Sequence, residues 1–232
     1  SIVGSVTDIA QGMIGRSLCW DDPVDDLALQ NVQARARSVI IWMIANVRRY
    51  VLLATSNLSE AAVGYATMDG DTSGGLSPIA DVPKSMIGRW LRWAADYHGY
   101  KAVDLVLGTP ATAELRPPDQ GQTDEDDLMP YDILDTLMYH FVQLGQDPLE
   151  MFQALWPSLS ERYSSPEGLA AHIRKFVRML CFAQWKRERF AISFRVTAFD
   201  LDPKTGFRFP PVQAPFTEEL ADLDDYIRAL GN

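Results

Sequence analysis

Residues 50–84 read YVLLATSNLSEAAVGYATMDGDTSGGLSPIADVPK, and the other segments take their meaning from this stretch. The apolar run at 50–54 has the length and composition of one short buried strand. Thr55, Ser56 and Asn57 end it, since all three are turn and N-cap residues. A helix is expected next, with Glu60 in its first turn. Residues 68–75, MDGDTSGG, hold too much Gly, Asp and Ser for a regular element and predict a loop. Asp81 and Pro83 then open a helix that begins at Lys84. In α/β proteins ligands lie beyond the carboxyl ends of strands and at helix N-termini. The stretch thus gathers a hydroxyl, a carboxylate, a polar loop and an ammonium at one place. That set suits a nucleotide phosphate with a magnesium ion.

The chain has 232 residues, enough for one domain with a sizeable core. Its net charge of −10 argues against nucleic acid as a partner, because phosphate backbones are bound by basic faces. No apolar run approaches the roughly 18 residues of a membrane span; the longest, at 39–47, is interrupted by Asn46 and followed by Arg48. Residues 1–16 show no basic start before an apolar block, so no signal peptide is expected. Cys19 and Cys181 show no metal spacing and read as reduced thiols of a cytoplasmic protein.

Helical spacing is expected at 2–18, with Ile2, Val6, Ile9 and Met13 on one stripe. One long helix is expected at 26–49, and others at 84–98, 131–144 and 148–159; the short Val-rich run at 101–107 is read as a helix, although its composition also suits a strand. Ser164 to Glu167 has the form of a capping box before a helix running toward Arg189. Thr217 is expected to cap a final helix. Residues 108–127, rich in Pro, Gly and acids, read as a long loop of the kind that forms lids. His98, His140 and His172 fall in no HExxH or Cys/His pattern, and no GxSxG elbow occurs.

TSNLSEAAVGYATMDGDTSGG with PIADVPK, and DDLALQNVQARAR before them, resemble the glutamine-dependent NAD synthetases in their synthetase half. TPATAELRP, QTDEDDLMPYDILD and QWKRERFAISF continue the resemblance in the family's order. It implies an α/β, adenine-nucleotide α-hydrolase-like (Rossmann-like) three-layer fold of the N-type ATP pyrophosphatases. Such proteins carry a Ser-Gly-Gly-x-Asp-Ser phosphate loop, several strands and a glutamine amidase domain upstream. That phosphate motif does not occur in these residues, so 1–232 are expected to be the helix-rich C-terminal part of one NAD synthetase domain. The reaction implied is adenylylation of the nicotinate carboxylate of deamido-NAD by ATP with Mg2+. Ammonia from glutamine then displaces AMP.

Residue roles follow from the resemblance, and each also has a plainer reading. Glu60 would ligate the metal, or simply favour a helix N-terminus. Thr55, Lys84 and Thr112 would contact ATP; otherwise they are a turn residue, a solvated lysine and a loop threonine. Arg35 and Lys186 would bind deamido-NAD, and Arg35 or Arg37 could equally be in ion pairs. Asp71 would be the catalytic carboxylate of the substrate loop, or a loop-turn Asp. Three positions depart from the ammonia-dependent enzymes: Trp185 stands in place of His, Met68 in place of Lys and Gly75 in place of Asp. MDGDTSGG fits the glutamine-dependent branch instead. The partners implied are an N-terminal amidase domain and a second copy across the 26–49 helix. Two other functions stay open: a different ATP pyrophosphatase that amidates a purine nucleotide, and a non-catalytic assembly module of the same fold.

Overall fold

The computed structural model describes residues 2–116 and 123–231. Its helices, in order, are α1 (Ile2–Ile14), α2 (Pro23–Arg48), α3 (Leu58–Val63), α4 (Lys84–His98) and α5 (Lys101–Leu107). Then come α6 (Asp124–Asp127), α7 (Tyr131–Met138), α8 (Pro148–Leu159), α9 (Pro166–Phe182), α10 (Gln184–Arg187) and α11 (Thr217–Leu230). A π turn, Tyr139–Gln143, extends α7 and takes up most of the rest of the helix expected at 131–144.

The core is built where α7, α8, α9 and α11 meet, with α3 laid against α9. Leu169, Ile173, Phe176, Val177 and Leu180 recur every three or four residues along α9, and all are fully buried. Leu134, Leu137, Met138, Met151, Phe152 and Leu223 close around that stripe. Burying each such side chain contributes roughly 1.5–3 kcal/mol. Local sequence sets the helix starts. Asp22 accepts from the backbone of Val24 and Asp25 ahead of Pro23, and Asp147 with Glu150 forms a capping box ahead of Pro148.

Several expectations need correction. The run at 50–54 is not a buried strand: Tyr50, Val51 and Leu53 are exposed, and no strand forms among the described residues. The segment is extended but paired on one side only, through a single parallel bridge between Leu53 and Leu76. A second bridge joins Ser77 to Ser193. Extended chain becomes a ladder only where a neighbouring strand continues the pairing, so among the described residues the chain is helix-rich, with these two bridges in place of a sheet. Asp81 does not open α4; Pro83 is its N-cap. The buried Asp81 carboxylate instead accepts from the backbone N–H groups of Val196 and Thr197 at 2.7 and 2.8 Å. No capping box forms before α9, whose N-cap Ser165 makes no side-chain bond. Thr217 lies inside α11, capped by Phe216 in a left-handed conformation. On α1, Val6, Ile9 and Met13 face outward rather than into a core. Residues 117–122 of the expected lid lie outside those described. Among the described residues, no helix is long and apolar enough to cross a membrane.

Candidate functional site

The site begins where the extended segment meets α3. Backbone bonds from Ala54 to Leu76 and from Gly75 to Leu52, both 2.9 Å, hold that segment against the loop. Gly74 makes the approach possible, since a Cβ there would sit 2.9 Å from Ala54. The Asn57 side chain accepts from the Glu60 N–H at 3.0 Å, and one Glu60 carboxylate oxygen returns the contact to the Asn57 N–H. This capping box fixes Glu60 over the start of α3.

The start of α4 is fastened to the same spot. Leu58 N–H donates to the Val82 carbonyl at 3.0 Å, and Lys84 N–H donates to Ser59 Oγ at 2.8 Å. Ser59 in turn donates to Asp135, which also accepts from Ser85 N–H. Lys84 Nζ therefore reaches the free side of Glu60, at 2.9 Å from Oε1. It also lies 5.3 Å from the centre of the Tyr131 ring, within cation–π range. The pair is partly shielded from water, so each charge holds the other in place.

The MDGDTSGG loop closes the third side. Asp71 accepts from Thr67 N–H at 2.7 Å, and its carbonyl accepts from Ser56 Oγ at 3.1 Å. Thr55, Glu60, Asp71, Lys84 and Thr112 together wall one cavity of about 330 Å³. Five of the residues singled out in the sequence thus meet at one place.

Lys186 lines an adjoining cavity of about 150 Å³, which shares Tyr65, Asp71 and Ala113 with the first. Its ammonium donates to the carbonyls of Gly64 and Ala66 at 2.7 and 2.8 Å. Burial lowers its pKa, and the Asp71 charge partly opposes that shift. Gly64 ends α3 in a left-handed conformation, and a Cβ there would lie 2.7 Å from the Ala183 Cβ. Arg35 is the exception. It is exposed, donates to the Met68 carbonyl at 2.9 Å, and lines neither cavity. Arg37 donates to the Glu114 carbonyl. Neither arginine forms an ion pair among the described residues. Met68 is buried, and Gly75 is exposed.

Residue-by-residue reading of the sequence passed over Tyr65, Asp124 and Tyr131, although QTDEDDLMPYDILD contains the last two. Tyr65 donates to Asp127 at 2.8 Å, and Tyr131 donates to Asp124 at 2.9 Å. Burial raises both phenol pKa values, so both groups stay protonated donors. Around the larger cavity, Glu60, Asp71 and Asp124 set three carboxylates against the single ammonium of Lys84. No group of three His, Cys, Asp or Glu residues is arranged to hold a metal among the described residues. Glu60 alone fits one ligand of a magnesium ion whose other ligands are phosphates and water.

A family model described as NAD synthase matches residues 4–164. A glutamine-dependent NAD(+) synthetase from Synechocystis is 37% identical over 84% of this chain, a match covering 32% of the relative. Another from Aquifex aeolicus is 35% identical over 75% of this chain and 28% of its own. The crystal structure of a glutamine-dependent NAD(+) synthetase from Cytophaga hutchinsonii superposes with a TM-score of 0.81 at 38% identity. That match covers 96% of this chain and 34% of the solved one. The chain therefore spans about a third of the length of these relatives. With the family model covering well over half of its residues, the chain belongs to the NAD synthase family.

Proposed function

We propose that these residues form the C-terminal part of the synthetase site of a glutamine-hydrolysing NAD synthase. The carrying observation is that Thr55, Glu60, Asp71, Lys84 and Thr112 wall one cavity in a chain of this family. The reaction is ATP-dependent amidation of deamido-NAD through a nicotinate adenylate, on an α/β fold completed by residues beyond these. Magnesium, when bound, neutralises phosphate charge and orients the transferring group. Glu60 is its ligand from this chain. Lys84 meets the nucleotide phosphates once it leaves Glu60, and Thr55 and Thr112 offer hydroxyls from the lining of the same cavity. Lys186 serves the deamido-NAD side through the adjoining cavity, and Asp71 stands between the two substrates on the shared wall. Arg35 acts on deamido-NAD after release from the Met68 carbonyl. Such positioned charges are effective because they face charge that develops in the transition state.

A full-length polypeptide that includes these residues should form AMP and NAD from ATP, deamido-NAD and glutamine. An amidase domain in the same polypeptide supplies the nitrogen in this reading. AMP formation that required a purine nucleotide acceptor, and not deamido-NAD, would overturn it.

A further inference from the structure

We infer that Arg187 is a positioning residue: it ties the end of α3 to the end of α9 and so sets the wall of the site that meets deamido-NAD. The inference rests on the amidation reading above and adds a residue that acts through the backbone of 64–67 and through Lys186.

Arg187 is 2% exposed and forms no ion pair among the described residues. Buried charges are usually matched by an opposite charge, so this one needs a reason. One Nη donates to the Ala62 carbonyl at 2.5 Å, and the other to the Leu180 carbonyl at 2.8 Å. Nε donates to Gln184 Oε1 at 3.0 Å, and the buried Gln184 amide donates onward to Glu188 at 2.9 Å. Ala62 lies in the last turn of α3, and Leu180 in the last turn of α9. The last carbonyls of a helix lack partners within it and carry partial negative charge. Two helix ends thus stand in for a carboxylate. Burial lowers the Arg187 pKa to about 10, which leaves the guanidinium charged at neutral pH.

The guanidinium fork acts on one end of α3. The first turn, which carries Glu60, is fastened separately, by Leu58 N–H to the Val82 carbonyl and by Ser59 to Lys84 N–H and Asp135. The last turn leads into Gly64, Tyr65, Ala66 and Thr67, which line the adjoining cavity together with Lys186. Lys186 donates to the Gly64 and Ala66 carbonyls, just beyond the Ala62 carbonyl that Arg187 holds. Consecutive side chains of α10 therefore grip the chain at 62, 64 and 66. Arg187 itself lines neither of the two cavities. A lysine would keep the charge but lose the planar fork that spans two carbonyls and an amide.

The test is steady-state kinetics of the full-length protein, with the KM values for deamido-NAD and ATP read separately and melting temperature measured alongside. Arg187→Met should raise the KM for deamido-NAD about tenfold and Arg187→Lys about threefold, with the KM for ATP moving less than about twofold in both. If the Met variant fails to fold, the Lys variant decides alone. An unchanged deamido-NAD KM in Arg187→Lys, or KM values for the two substrates that rise together, would overturn the inference. Loss of folding in both variants would overturn it too, since Arg187 would then hold the core as a whole and not one wall of the site. Absence of deamido-NAD-dependent AMP formation in the wild type would overturn the amidation reading and this inference with it. Normal wild-type turnover with an unchanged deamido-NAD KM in Arg187→Lys would overturn this inference alone.

Discussion

At the scale of single residues, Glu60 does two jobs that a substitution can separate. One oxygen completes the cap of α3, and the other holds Lys84. Glu60→Gln keeps an acceptor for the cap and removes the charge. It should slow adenylate formation by roughly 30- to 1000-fold, the equivalent of about 2–4 kcal/mol in the transition state, and raise the magnesium requirement. Single-turnover adenylate formation at the wild-type rate and magnesium dependence would show that the site is misplaced. His172 gives a pH signature. Burial, with Lys175 and Arg162 adding to it, lowers its pKa below the ordinary value. At pH below about 6.5 the unfolded chain therefore binds a proton that the folded chain resists, and stability falls as pH falls. Melting temperature should drop on acidification through that range, and His172→Asn should flatten the drop. The sequence could not show this, because the Tyr163 hydroxyl and the helical wall that enclose His172 come from the fold. Glu60 and Lys84 were legible through their motif, yet their contact across 24 positions was not.

At the scale of elements, helix termini do most of the positioning. The cap at Asn57 aims Glu60, and the left-handed turn at Gly64 leaves room for α10 and brings Lys186 to two carbonyls. Gly64→Ala places a side chain at φ +66° and 2.7 Å from the Ala183 Cβ. The conformational cost alone is about 1–2 kcal/mol, and the contact adds to it. Urea unfolding should show a loss of at least that size, accompanied by weaker binding of deamido-NAD as Lys186 is displaced. An unchanged midpoint would mean that α10 moves freely. Elements with strong local signals matched expectation closely, as at Lys84–His98 and Pro148–Leu159, while the run at Lys101–Leu107, whose short Val-rich sequence reads as either helix or strand, is a helix. Elements that depend on a distant partner did not. The 50–54 run has strand composition, but pairing must come from another segment, and here only Leu76 supplies a bridge.

At the scale of the whole molecule, the placing of apolar surface is unusual. Val39, Ile41, Trp42, Met43, Ile44 and Val47 on α2 are exposed, as are Ile9 and Met13 on α1. Contiguous apolar surface of this kind marks contact with other protein. We propose that the synthetase unit pairs across α2. Sedimentation of the full-length protein at micromolar concentration should give a dimer, and a monomer would assign the α2 surface to cover from within the same polypeptide. The 232-residue chain on its own should form no AMP from ATP and deamido-NAD, because the phosphate loop that supplies backbone donors is absent from its sequence. Turnover by the isolated chain would refute that.

The sequence by itself determined the family, the helical periodicities and the motif residues near the site. These properties are written in local order and spacing, and each can be read within a few neighbouring residues. Tertiary structure alone decided which of those residues share a cavity. It set Lys84 on Glu60, placed Lys186 behind Gly64 and kept Arg35, held by the Met68 carbonyl, off the cavity wall. Each of these depends on segments far apart in the chain meeting at distances of about 3 Å. No local propensity encodes a meeting at that distance, because the packing of α3, α4, α7 and α9 settles it.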